Sequence, residues 1–370
     1  MKIAPFRIEE YYAVHEFTAP HMLSSSDAES VTIADVLALE PDAAERLFAQ
    51  RLGYTESAGA PELRAAAAAL YETTSPEDVI VVAAAEEGIF TAYHALLEPG
   101  DHVVVETPCY ESALQVALSA GAEVTRWRRS AADGWAHDLD ALARALRPET
   151  KLVYLNTPHN PTGTLMPRHV LDRVVELCAE RGAWLFCDEV YRELEHDPAD
   201  RLPAACDLYE RALSLGSMSK TYGLPGLRLG WLASHDRDAL ARIVDLKHYT
   251  TICSSAPSEL LSALALRHRH TLADRNRAIV LANLPLLDAF LGRHADQFSW
   301  TRPTASPIGF PRLHGVEDAT GFCERVVAEA GVLLLPGAVY DEPDHVRIGF
   351  GRANMPEALD RFERWIDTRS

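Results

Sequence analysis

From Glu77 to Ser219 the chain alternates short β-branched runs with amphipathic stretches: DVIVVAAA, EEGIFTAYHALLEPG, DHVVVETP, ESALQVALSAG, KLVYLNTP, RHVLDRVVELCAERG, AWLFCDEV and ALSLGSMS. Strands separated by whole helices read as βα units, so the alternation predicts an α/β fold with a mainly parallel sheet flanked by helices on both faces. Ligands of such sheets collect at the carboxyl ends of the strands. The polar punctuation falls there: Glu86 and Glu87, Pro108 to Tyr110, Asn156 to Gly163, Asp188 to Tyr191, and Ser217 to Lys220.

With 370 residues the chain exceeds the roughly 250 to 300 at which one hydrophobic core stops growing, so two units are expected. Residues 46–271 read as the large domain. After Thr271 the texture changes to one long helical stretch, TLADRNRAIVLANLPLLDAFLGRHA, and short strand-like pieces such as GVLLLPG and HVRIGFG. Residues 272–370, joined by 1–45, read as a smaller α+β domain, the first 45 residues packing against it and supplying an active-site segment.

A formal charge of −19 disfavours a nucleic-acid backbone or an anionic membrane as a general partner; a bound anion must meet a local positive site. The six cysteines contain no C-x-x-C pair, so they read as reduced thiols of a cytoplasmic protein without a disulfide framework or a metal site. No apolar run approaches the roughly 20 residues that span a bilayer.

The stretch LSLGSMSKTYGLPGLRLGW places Lys220 among glycine, serine and proline, with apolar segments on both sides. Burial near a strand end would make its amine a nucleophile; an anion-binding loop or a snorkelling lysine would give a similar pattern. Four segments bear on the choice. TPHNPTGT sets Asn160 in a turn, and FCDEVY ends an apolar strand with Asp188, whose carboxylate must find a cation or hydrogen-bond donors. Tyr191 follows three residues later. ETPCYES presents Tyr110 beyond a strand, either as a stacking platform or as a core aromatic.

Together, in order and spacing, these motifs resemble the class I/II aminotransferase family of pyridoxal-phosphate enzymes, fold type I, over nearly the whole chain from Tyr54 to Arg347. The resemblance implies pyridoxal 5′-phosphate as cofactor, a free amino acid as substrate and a homodimer with shared active sites. It implies that Lys220 binds the cofactor covalently, that Asp188 pairs with its ring nitrogen, and that Asn160 and Tyr191 reach its 3-oxygen. By the same resemblance Tyr110 stacks on the ring, and Ser217 and Arg228 hold the phosphate. Arg347 takes the substrate carboxylate, and Tyr54 reaches the phosphate of the neighbouring subunit's cofactor. One departure stands at VAAAEEGIF, where many relatives carry glycine and a hydroxyl residue. The backbone N–H groups of Ala85 and Glu86 are expected to bind the phosphate, with the Glu86 side chain turned away. Glu87 reads as a surface residue of the first helical turn.

Within the family, the serine-rich segment SSSDAESVTIADVLALEP, with SKTYGLPGLRLGW and GVLLLPGAVY, is most similar to the capreomycidine synthase-like, arginine-cyclising members. That resemblance implies removal of a β- or γ-substituent from a hydroxylated arginine, then ring closure with the amino group retained. A cationic substrate needs carboxylates near the cofactor, and the amino-terminal segment offers Glu9, Glu10, Glu16, Asp27 and Glu29. Asp27 is the first candidate and Glu9 the second, although Asp27 could equally be a cap or turn residue. Ordinary transamination, amino-acid oxidation and a non-catalytic sensor are the alternatives.

Overall fold

The computed structural model describes residues 2–369. The predicted alternation is present as seven strands: β1 (Val79–Val82), β2 (His102–Thr107), β3 (Glu123–Arg128), β4 (Thr150–Asn156), β5 (Trp184–Asp188), β6 (Ala212–Ser217) and β7 (Gly230–Ala233). They pair in the order β1-β7-β6-β5-β4-β2-β3, and all run parallel except β7, which is antiparallel to both neighbours. Strands of a doubly covered sheet send alternate side chains to opposite faces, which is why they are almost continuously apolar. Val103 and Val105 of β2 thus enter one core with Tyr154 and Phe186, while Val104 enters the other with Val153 and Leu185. Helices Ala84–Leu96 and Ser112–Ser119 cover the first face, and Arg168–Arg181 the second.

The long carboxy-terminal stretch is one 25-residue helix, Arg269–Arg293, with Pro285 inside it. Strands β8 (Ile308–Gly309), β9 (Leu335–Pro336) and β10 (Val346–Gly349) form a small antiparallel sheet in the order β8-β10-β9. A second core of Leu284, Phe290, Phe322, Ile348 and Phe362 lies around them. Among the described residues no helix is long and apolar enough to cross a membrane.

The amino-terminal segment divides its contacts. Helix α1 (Arg7–His15) is followed by His21–Met22, which pairs in parallel with Val332–Leu333, and Leu23 is buried in the second core. Val36 and Ala43, by contrast, pack beside Leu63 and Leu264 under the edge of the large sheet. The expectation that the first 45 residues all pack against the smaller unit is therefore corrected: two short helices, Ile33–Leu37 and Ala43–Ala49, bury their apolar faces on the sheet side.

Residues 24–27 cross between these regions with no room to spare. A Cβ at Gly349 would fall on the Ser25 carbonyl, and one at Gly351 would lie 2.6 Å from the carbonyl oxygen of Asp27. Neither glycine needs a special backbone angle; what they supply is space. Gly349→Ala should therefore push the segment off β10 and cost about 1 to 3 kcal/mol, the usual range for overpacking, read as a lower denaturant midpoint. An unchanged midpoint would show that the segment shifts freely.

Candidate active site

A cleft of about 410 Å³ opens at the carboxyl ends of the strands. Three residues beyond β6, Lys220 projects into it and donates from Nζ to Ser26 Oγ at 2.8 Å. Burial lowers its pKa, opposed by the nearby Asp27 carboxylate, lowered again by Arg347 and opposed by Asp188; the net direction is down. The neutral amine is thus more available than on an exposed lysine.

Asp188 ends β5 and is buried. Burial pushes its carboxyl up to about 6, although Val190 N–H and the Tyr154 hydroxyl donate to it at 3.2 and 3.0 Å. Parallel register sets Asn156 of β4 opposite Asp188. The Asn156 side chain donates to the Asp188 carbonyl at 2.8 Å and accepts from Asn160 N–H at 2.7 Å, fixing the turn that presents Asn160. Beneath it, Asn156 N–H donates to buried Glu106 at 3.0 Å, and Glu106 is paired with Arg129 at 3.0 Å. Asn160 Oδ1 accepts from Tyr340 and Arg347 at 3.1 and 3.3 Å. The Tyr191 hydroxyl is buried in the cleft wall beside Ser26 and makes no well-formed hydrogen bond.

Arg347, on β10, is likewise buried. It donates to the Ser24 carbonyl at 2.9 Å, to Tyr12 Oη at 2.7 Å and to Tyr340 Oη. Tyr110 is half-buried at the cleft wall and donates to Glu9 Oε1 at 3.0 Å. At the opposite end stand Ala85, Glu86, Ser217 and Arg228, joined by Ser219, whose hydroxyl accepts from Ser217 at 3.0 Å.

Helix α2 (Ala84–Leu96) starts beside this end, where first-turn N–H groups have no intrahelical acceptor. Ala84 has φ +64°, a left-handed conformation that glycine adopts without strain. The expectation that Glu86 turns away is overturned. Its side chain is held in the cleft near Glu9, Asp188 and Ser112, and burial pushes its carboxyl up to about 7. Glu87 is the one that turns away. It accepts from Ala83 N–H at 2.5 Å and from Thr250 and Thr251 at 2.6 and 2.8 Å, closing the start of the helix.

Of the candidates for a cationic substrate, Asp27 lines the cleft but accepts two bonds from Arg352, at 3.0 and 3.1 Å. Its charge is already matched. Glu9 and Glu16 also line the cleft, and burial raises the Glu16 carboxyl beside Glu9. Glu29 instead accepts from Ala353 N–H at 2.7 Å. Tyr54 is 91% exposed and stands outside the cleft of its own chain. Sequence reasoning did not find Tyr12, Ser26, Tyr154, Ser219, Tyr340 or Arg352. Only Tyr154 carried a readable signal, since it shares a strand face with Asn156 two residues on.

Residues 22–362 match the model of the aminotransferase class I and II family. The chain belongs to that family. It is 32% identical over 367 residues to capreomycidine synthase of Streptomyces vinaceus, covering 98% of this chain and 94% of that one. A PLP-dependent aminotransferase from Streptococcus suis superposes with a TM-score of 0.94 at 31% identity, covering 100% of this chain and 99% of that one. The PLP-dependent cyclase OrfR does so with 0.93 at 30% identity, with the same coverage. This chain is accordingly an enzyme of the family, and its α/β fold is the family's. Pyridoxal phosphate fits the groups on the cleft wall: a lysine of lowered pKa, a buried carboxylate, a buried tyrosine hydroxyl with no well-formed hydrogen bond, and a positive end with Arg228 and a helix start.

The raised pKa of Asp188 has a measurable consequence in the cofactor-free protein. A carboxyl at about 6, against about 4 unfolded, favours the folded state as the neutral acid, an advantage present below about pH 4 and lost as pH rises through 6. Asp188→Asn keeps the neutral form at all pH. It should exceed the wild type in stability by about 2 to 3 kcal/mol at pH 8 and match it at pH 4, in denaturant titrations at both. A gap that does not change with pH would contradict this.

Proposed function

We propose that this enzyme acts on a free amino acid with a cationic side chain, removing a β- or γ-substituent and closing a ring with the amino nitrogen retained, as in cyclodehydration of a hydroxylated arginine. One observation carries the reading: three carboxylates, Glu9, Glu16 and Asp27, line the cleft with Lys220, and of the arginines there Arg352 is paired with Asp27 while Arg347 is held by neutral acceptors and left for the substrate carboxylate. A neutral side chain would leave that charge unbalanced in a partly desolvated site, whereas a guanidinium offers donors in the geometry carboxylates prefer. The similarity to capreomycidine synthase supports the same choice. Transamination is the second reading, favoured by the similarity to the Streptococcus suis aminotransferase.

The enzyme is pyridoxal-phosphate dependent. Bound, the cofactor supplies a sink for the electrons left when a bond to the substrate Cα breaks. Lys220, Asp188, Asn160, Tyr191 and Tyr110 would hold its ring, and Ser217, Ser219, Arg228 and the N–H groups of Ala85 and Glu86 its phosphate. Lys220 Nζ, whose neutral form burial favours, would accept the Cα proton. Asp188 would hold the ring nitrogen in its protonated form, its carboxylate stabilised by that positive charge. Arg347 is already fixed by Tyr12, Ser24 and Tyr340, so its guanidinium meets the substrate carboxylate without further ordering. Six free cysteines suit a reducing compartment, and the cytoplasm is the proposed location.

Purified holoenzyme incubated with arginine, hydroxylated arginines, lysine and neutral amino acids should give, from a hydroxylated cationic substrate, a product one water lighter with all nitrogen retained. Glu16→Gln should weaken the cationic substrate at least tenfold and neutral ones little. A keto acid formed with 2-oxoglutarate, with no dehydrated product, would overturn cyclisation in favour of transamination.

A homodimer is proposed as the working assembly. Leu52, Tyr54 and Tyr249 are 85%, 91% and 89% exposed, and their segments meet where Thr55 Oγ1 donates to the Ser254 carbonyl at 3.3 Å. Such a patch on a family member suits a second copy, with Tyr54 reaching the partner's phosphate. Tyr54→Phe should then weaken cofactor retention by about 1.5 to 3 kcal/mol in equilibrium dialysis, the value of a hydrogen bond to a charged group. A fully active monomer in sedimentation would refute the arrangement.

A further inference from the structure

Glu86 is the residue at the cofactor end that family chemistry does not account for. It occupies the third position of α2, immediately after the two alanines, and its carboxyl lies inside the cleft. The groups that face it come from every neighbouring element. They are Glu9 of α1, Tyr110 and Ser112 after β2, Asp188 of β5 and Arg228 before β7, with Lys220 across the cleft. Two are carboxylates and only Arg228 and Lys220 can be cations, while Lys220 donates its amine to Ser26. The Ser112 hydroxyl is buried beside Glu86 and makes no well-formed hydrogen bond. Neighbouring Glu87, which could have competed for the same space, is committed to Ala83, Thr250 and Thr251.

A phosphate dianion brought to the start of α2 adds negative charge to a pocket in which Glu86 already faces Glu9 and Asp188. An ionised Glu86 would then repel the ligand it lines, whereas its neutral acid keeps one O–H to donate. We propose that Glu86 is a cofactor-binding residue that works as the neutral acid, so that binding of pyridoxal phosphate takes up a proton at this side chain and loosens as pH rises. The inference rests on the reading of the cleft as the pyridoxal-phosphate site. Burial, which pushes the empty-site carboxyl up to about 7, sets the range in which the effect is visible. The sign follows from linkage: a group whose pKa rises on binding weakens binding above its unbound value, by at most about tenfold per pH unit for one proton.

The test uses pyridoxine 5′-phosphate, which lacks the aldehyde and so cannot bond to Lys220. Cofactor-free protein is titrated with it by tryptophan fluorescence from about pH 6 to pH 9, wild type against Glu86→Gln, with circular dichroism to check folding. Wild-type affinity should fall relative to Glu86→Gln by up to about tenfold per pH unit above about 7. Calorimetry in buffers of different ionisation heat should show more proton uptake by the wild type. Glu86→Ala, which has no donor, should bind several-fold more weakly than Glu86→Gln and share its pH slope. Parallel pH profiles for wild type and Glu86→Gln would overturn the role of Glu86 alone. Absence of binding to either protein at any pH would overturn the cofactor reading, and this inference with it.

Discussion

The guanidinium of Arg347 is buried, and a buried cation must be surrounded by acceptors. Its acceptors come from three parts of the chain: the Tyr12 hydroxyl and Ser24 carbonyl of the amino-terminal segment, Asn160 after β4, and the nearby Tyr340 hydroxyl after β9. All but the Tyr340 contact close loops of more than 180 residues, so the amino-terminal segment, the large sheet and the carboxy-terminal sheet converge on one charge. The site depends on that convergence. Asn160 is held from one side by Asn156 and from the other by Arg347, which places a cofactor-side group and a substrate-side group in a single network.

A second constraint is electrostatic. The chain carries −19 formal charges, and the cleft repeats that excess on a small scale with Glu9, Glu16, Asp27, Glu86 and Asp188 against Arg228, Arg347, Arg352 and Lys220. Burial decides how each behaves. Asp27 is matched by Arg352, and Asp188 and Glu86 hold their protons to higher pH than ordinary carboxyls. The remaining carboxylates face the space a substrate would fill, and the charge of the cleft is therefore an argument about what enters it.

The sheet was legible because helix and strand periods alternate without interruption, and local pattern is what sequence records best. Lys220, Asp188, Asn160 and Arg347 were legible for a related reason: each sits in a short motif at a strand end or on a strand, and the structure brings all four to one cleft. Tyr12 and Ser26 were not, because their place depends on how the amino-terminal segment crosses the sheet ends, a contact between residues more than 190 apart in the case of Ser26 and Lys220. The direction of the Glu86 side chain was misread for an electrostatic reason. Its expected repulsion from a phosphate assumed an ionised carboxyl, and burial near other acids changes that assumption.

The crossing of residues 24–27 has a further consequence. At one end Leu23 is fixed by Leu333 and by Gly349 N–H, and at the other Ala28 N–H donates to the Lys220 carbonyl at 3.3 Å. Only four residues lie between those anchors, and a chain of that length has little slack. The segment is thus a tether of set length between the carboxy-terminal sheet and the lysine loop. An insertion or deletion would change the spacing between two halves of the cleft, so the length of the segment sets where Ser26 and Asp27 meet Lys220 and Arg352.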